Sequence, residues 1–224
     1  AALDVGNGFG KFIGSTQIAE LGEIETPILL TNTLSVAACS AALIRDALAR
    51  NPDIGRTTST VNAVVGECND GPLNNIQAMA VTEDHARSAL AAAHGGPVKQ
   101  GSIGAGTGMT CFGFKGGIGS ASKRLEIAGE DFHLGALVLT NFGNAGDLIL
   151  PDGRRPSPPD PEVKTTEKGS VIVVLATDVP LEHRQLSRVA RRGGAGLFRP
   201  ARSLGGDHRA LSPRLCACGF HRPV

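Results

Sequence analysis

Apolar residues recur in short blocks separated by Gly, Pro and Asn, and the spacing within each block distinguishes strands from helices. Residues 26–31 (Thr-Pro-Ile-Leu-Leu-Thr) predict a short buried strand ending at Asn32. Over 35–50, Val36, Ala37, Ala41, Ile44 and Leu48 fall on one face of a helix that Pro52 closes. A second short strand is predicted over 61–65. Thr82 followed by Glu83 and Asp84 supplies an N-cap and an acidic first turn for a helix reaching Ala93. Two further strands are predicted, roughly over 121–128 and 133–142. The run Ser-Val-Ile-Val-Val-Leu-Ala-Thr at 170–177 predicts a buried strand. Over 181–192 a helix carries Leu186, Val189 and Ala190 on one face.

Mixed strands and helices with Gly-rich connections predict α/β or α+β layering. The pattern breaks in two places. Residues 151–168 include five Pro among charged and small residues, which predicts a linker running to Gly169. After Gly193 the apolar period disappears. The expected organisation is one domain over 1–192, containing the linker 151–169, followed by an irregular Arg-rich tail over 193–224.

Charge changes the picture only in that tail. Residues 191–224 hold seven Arg and a single acid, Asp207, a net charge of +6 within a chain whose formal charge is +1. The body is mildly acidic, so no nucleic-acid binding is expected of it. The longest apolar run is about six residues against the roughly 20 that span a bilayer, so no membrane segment is expected. The first residues lack the regions of a signal peptide, which predicts the cytoplasm. The chain opens on Ala1, the expectation being a start inside a longer protein, and this leaves the periplasm open. The five Cys residues form no paired CxxC framework, and reduced, mostly buried thiols are expected. Cys216 and Cys218 with His208 and His221 are the nearest thing to a metal cluster. No metal or other cofactor is expected.

Candidate chemistry concentrates at Gly169-Ser170, where the linker meets the most apolar strand. Cleavage of that bond would leave Ser170 with a hydroxyl and a free α-amine, a nucleophile and a base on one residue. The α-amine has an ordinary pKa of about 7.7–8.0, so it can take a proton near neutral pH. The Gly-rich stretch 101–108 invites a phosphate-loop reading. It lacks a closing Gly-Lys-Ser/Thr and is followed by a strand-like segment, so nucleotide binding is not expected.

The segment Gly104-Ala-Gly-Thr-Gly-Met-Thr-Cys-Phe-Gly-Phe-Lys-Gly-Gly-Ile-Gly-Ser-Ala-Ser122 resembles the signature of the L-aminopeptidase/D-esterase and β-peptidyl aminopeptidase family. Three other segments match in order: Leu29-Leu-Thr-Asn-Thr-Leu-Ser35, Val138-Leu-Thr-Asn-Phe-Gly143 and Gly169-Ser-Val-Ile-Val-Val-Leu-Ala-Thr-Asp178. The resemblance implies a four-layer αββα fold and a precursor cut once, at Gly169-Ser170. Ser170 would then be the nucleophile, Asn141 an oxyanion donor, and Glu67 the carboxylate that holds a substrate's free amine. It further implies turnover of short peptides, amino-acid amides and esters without a metal, by a homo-oligomer of cleaved heterodimers.

The family's second serine with its nearby carboxylate finds no counterpart after Arg192, and the family has additional strands before the segment resembling 1–35. The alternative is therefore a non-catalytic fragment or pseudoenzyme, incomplete at the N-terminus and with a frameshifted C-terminus.

Overall fold

The computed structural model describes residues 1–6, 8–159, 169–198 and the strand 213–219. In chain order the elements are β1 (Ala2–Val5), α1 (Ser15–Leu21), β2 (Ile28–Asn32), α2 (Val36–Arg50), β3 (Val64–Cys68), α3 (Glu83–Ala91), β4 (Thr110–Cys111), β5 (Phe114–Lys115), β6 (Gly117–Ile127), β7 (Glu130–Asn141), β8 (Ser170–Thr177), α4 (His183–Phe198) and β9 (Pro213–Gly219).

Two sheets form the centre. β2 and β3 pair in parallel, with α2 lying in the connection between them, as parallel neighbours require a crossover. The larger sheet has the order β1-β9-β8-β7-β6. Its β6–β7 hairpin turns at Ala128 and Gly129, both at positive φ, which suits the right-handed twist of the flanking strands.

Alternation along β8 assigns the layers. Ile172 and Val174 pack with Cys68, Leu30, Met109 and Leu139, so this face of the large sheet meets β2 and β3. Val171 and Val173 point the other way, onto Phe112, Phe142 and Ala190 of α4. On the far side of the small sheet, Val65 packs with Val36, Cys39 and Leu43 of α2 and with Ala86 of α3. The result is the four-layer αββα arrangement: α2 and α3, small sheet, large sheet, α4. Gly66 permits the two sheets to approach, because a Cβ there would lie 2.7 Å from Ile172 Cδ1.

Several boundaries differ from the sequence expectation. The second strand covers Val64–Cys68 rather than 61–65, and all five residues are buried. Glu67 therefore lies within a strand, where parallel pairing with β2 outweighs the polarity of its side chain. The buried stripe of α2 is Val36, Cys39, Ala42, Leu43 and Ala47, while Leu48 is exposed. Apolar residues occur nearly all round this Ala-rich helix, so its period did not select one face. Helix α4 runs past Arg192 to Phe198, and the backbone of 213–219 forms a strand in register between β1 and β8. An irregular tail beginning at 193 does not describe these segments. Backbone hydrogen bonding needs no apolar period, and Leu186 and Ala190 already anchor the helix. Asn7, linker residues 160–168, and tail residues 199–212 and 220–224 lie outside the described residues.

Candidate active site

Ser170 opens β8 on the same face as Ile172 and Val174, so its hydroxyl points into the layer between the sheets. It is paired in register with Asn141, the last residue of β7. Asn141 Nδ2 donates to Ser170 Oγ at 3.2 Å and to the Asn69 carbonyl at 2.8 Å. Its Oδ1 accepts from the Thr110 backbone N–H at 3.0 Å. Both side chains are buried, Asn141 at 7% and Ser170 at 9% exposure. A neutral amide donor in a site of low dielectric is placed to stabilise negative charge on a nearby oxygen.

The junction residue Gly169 has φ +90. A Cβ there would lie 2.7 Å from Phe142 Cα and 2.9 Å from the Asn141 carbonyl oxygen. The peptide entering Ser170 thus lies against the end of β7, where a side chain would force a shift. Phe142 is braced in turn. Its carbonyl accepts from Phe112 N–H at 2.9 Å, and the two rings meet edge to face at 5.1 Å between centroids. Phe112 and Gly113 both adopt positive φ in the tight turn between β4 and β5. That conformation strains a bulky residue, and the ring's burial against Phe142 offsets the strain.

Glu67 occupies a different place. Its neighbours Gly66 and Cys68 face the large sheet, so alternation turns Glu67 toward the α2 side with Val65. Its Oε1 accepts from Lys11 N–H at 2.9 Å, and Oε2 accepts from the Thr33 hydroxyl. Only 3% of the residue is exposed. The fold thus brings Gly169, Ser170 and Asn141 together and holds Glu67 on the opposite face of β3.

Sequence reasoning did not single out the Asn69 carbonyl, the Thr110 N–H or the Asp70 carboxylate. Asp70 is buried and takes Asn32 Nδ2 at 3.2 and 3.1 Å and Asn74 Nδ2 at 2.8 Å, anchoring the turn that presents the Asn69 carbonyl. Backbone groups leave no residue-type signal. A useful hint was Asn-Asp-Gly at the end of an apolar run, a turn signature. His85 closes a capping box with Thr82, and His133 bonds Asp178. Among the described residues no group of three or more His, Cys, Asp or Glu is arranged to hold a metal. Cys216, Cys218, His208 and His221 lie outside that statement. No helix among the described residues is long and apolar enough to cross a membrane.

The chain is thus a layered αββα sandwich with a serine at the head of a central strand, facing an amide donor. Residues 1–209 match the Peptidase family S58 model, and the chain belongs to that family. It is 36% identical over 216 residues to the β-peptidyl aminopeptidase BapA of Sphingosinicella microcystinivorans, covering 89% of this chain and 53% of that protein. Two solved structures are similar throughout. The PH0078 protein of Pyrococcus horikoshii OT3 has a TM-score of 0.83 at 43% identity, covering 98% of this chain and 60% of that one. The L-aminopeptidase D-Ala-esterase/amidase of Ochrobactrum anthropi, a serine aminopeptidase with a variant Ntn hydrolase fold, has a TM-score of 0.82 at 34% identity, covering 98% and 60%. The chain spans about half the length of the curated relatives it matches.

Proposed function

We propose that the chain is a self-processing serine aminopeptidase that releases N-terminal residues from short peptides, amino-acid amides and esters. The observation that carries this is the pairing of Ser170 with Asn141 directly after a glycine at which any side chain would press on the end of β7.

In the precursor, Ser170 Oγ adds to the Gly169 carbonyl carbon. The Gly169–Ser170 C–N bond breaks, leaving an ester, and the hydroxyl proton ends on the departing amine. Water then hydrolyses the ester, giving a Gly169 carboxylate and restoring the Ser170 hydroxyl beside a free α-amine. In turnover that amine takes the Oγ proton as Ser170 attacks a substrate carbonyl, and returns it to the leaving amine or alcohol. Asn141 Nδ2, already directed at Oγ, donates to the oxyanion that forms alongside it.

Glu67 enters through the family resemblance as the group for a substrate ammonium. Its carboxylate lies on the face of β3 away from Ser170 and already receives Thr33 and Lys11, so this role rests on the resemblance alone. The oligomer of cleaved heterodimers is likewise proposed from the resemblance. The family match, which continues to residue 209, does not favour a non-catalytic fragment.

Incubating the purified chain with an amino-acid p-nitroanilide and with its N-acetylated counterpart tests this function. Release of nitroaniline from the free-amine substrate only, abolished by Ser170→Ala, is expected; equal activity in wild type and variant would refute it.

A further inference from the structure

One charge stands inside the Gly-rich hairpin. Lys115 Nζ donates to the carbonyl of Gly106 at 2.7 Å, of Met109 at 3.0 Å and of Gly116 at 2.8 Å. All three ammonium protons go to backbone carbonyls rather than to a carboxylate. The residue is exposed, and partial desolvation beside these carbonyls lowers its pKa from the ordinary value.

The Met109 carbonyl belongs to the same peptide group as the Thr110 N–H. At one end of that plane the oxygen accepts from Lys115 and from Gly116 N–H at 2.8 Å. At the other end the N–H donates to Asn141 Oδ1 at 3.0 Å. A cation on the oxygen withdraws electron density from the peptide and strengthens its N–H as a donor.

The orientation of Asn141 follows from this plane. With Oδ1 committed to Thr110, Nδ2 must face the Asn69 carbonyl and Ser170 Oγ. The flipped amide would set Nδ2 against the Thr110 N–H and Oδ1 against the Asn69 carbonyl, two repulsive contacts in a buried place.

We propose that Lys115 is a positioning residue for the Ser170 chemistry: its ammonium fixes and polarises the Met109–Thr110 peptide, which locks Asn141 with its amide donor toward Ser170. This role in catalysis rests on Ser170 being the nucleophile, while the lock itself does not. It accounts for the one charged side chain in the Gly-rich stretch 101–119.

The test uses Lys115→Met, which keeps length and removes charge, with circular dichroism to establish folding. Wild type and variant are compared in the first-order rate of Gly169–Ser170 cleavage, followed on denaturing gels. The Thr110 amide and Asn141 side-chain resonances are compared in a Ser170→Ala background, which stays uncut. Weakening rather than removing an oxyanion donor predicts a cleavage rate lower by about tenfold or more. The Thr110 proton should move upfield, and Asn141 should show a second side-chain amide environment. If Lys115→Met does not fold, Lys115→Gln, which keeps a shorter neutral donor, carries the same comparison. A folded variant with the wild-type rate, or a slowed variant whose Thr110 and Asn141 resonances stay in place, overturns the proposal. A wild-type chain that never cuts refutes the nucleophile instead, and the resonance comparison still decides whether the lock exists.

Discussion

Asn141 and Ser170 face each other across a single antiparallel register pair, with Nδ2 and Oγ 3.2 Å apart although 29 residues separate them in the chain. The register of two long strands, rather than a loop, sets this distance. β7 and β8 are buried on both faces near this end, so a slip of one residue would turn every side chain over.

Removing the Asn141 amide therefore acts on chemistry and on folding. Asn141→Ala is expected to lower kcat by about 10²–10³-fold, as loss of one oxyanion donor does. Leaving Thr110 N–H and the Asn69 carbonyl unpaired should lower stability by about 1–3 kcal/mol. Steady-state kinetics and thermal unfolding of the same preparation check both. A variant with kcat within twofold of wild type contradicts the oxyanion role.

Gly169→Ala places a methyl group 2.7 Å from Phe142 Cα at φ +90. Strain of about 1–3 kcal/mol at such a position must be relieved by shifting the peptide before Ser170 or the end of β7. The expected outcome is slowed cleavage of the 169–170 bond together with a lower Tm. Time courses on denaturing gels would show it, and unchanged cleavage would mean that the close approach has no part in the cut.

For Glu67, the Gln variant separates two roles. If the carboxylate holds the substrate ammonium, Glu67→Gln should raise KM for free-amine substrates about tenfold or more, the worth of a hydrogen bond to a charged group, with little change in kcat. If it serves only to tie Lys11 and Thr33 to β3, KM stays put and the melting temperature alone falls. The proposed function expects the first.

Much of this fold can be read from the chain, for reasons that differ by element. β8 is recovered to the residue because a polar linker stops at Gly169 and an apolar run starts at Ser170. α3 is recovered through Thr82 and its acidic first turn. β3 is displaced by three residues because Glu67 interrupts the apolar run, and only the pairing of Thr31 with Glu67 reveals the strand. At the site, Ser170 and Asn141 carry side-chain signals. Asn69 and Thr110 contribute backbone groups, which any residue possesses. Lys115 acquires meaning only from the three carbonyls around it.

Burial pushes the Cys39 and Cys111 thiols up from their ordinary pKa. Since the thiolate is the reactive form, raising the pKa lowers the reactive fraction at pH 8, and the fraction grows only as pH rises further. Iodoacetamide labelling followed by peptide mass mapping should find both residues slow in the native protein and fast in urea. Rapid native labelling of either would contradict its burial.

The central claim is that Ser170 becomes an N-terminus. The most direct measurement is the intact mass of the purified chain, with Ser170→Ala run beside it. The account predicts two polypeptides from wild type, ending at Gly169 and beginning at Ser170, of 169 and 55 residues within this sequence of 224, and one uncut chain from the variant. A wild-type chain that remains whole under conditions where the protein is folded would contradict it.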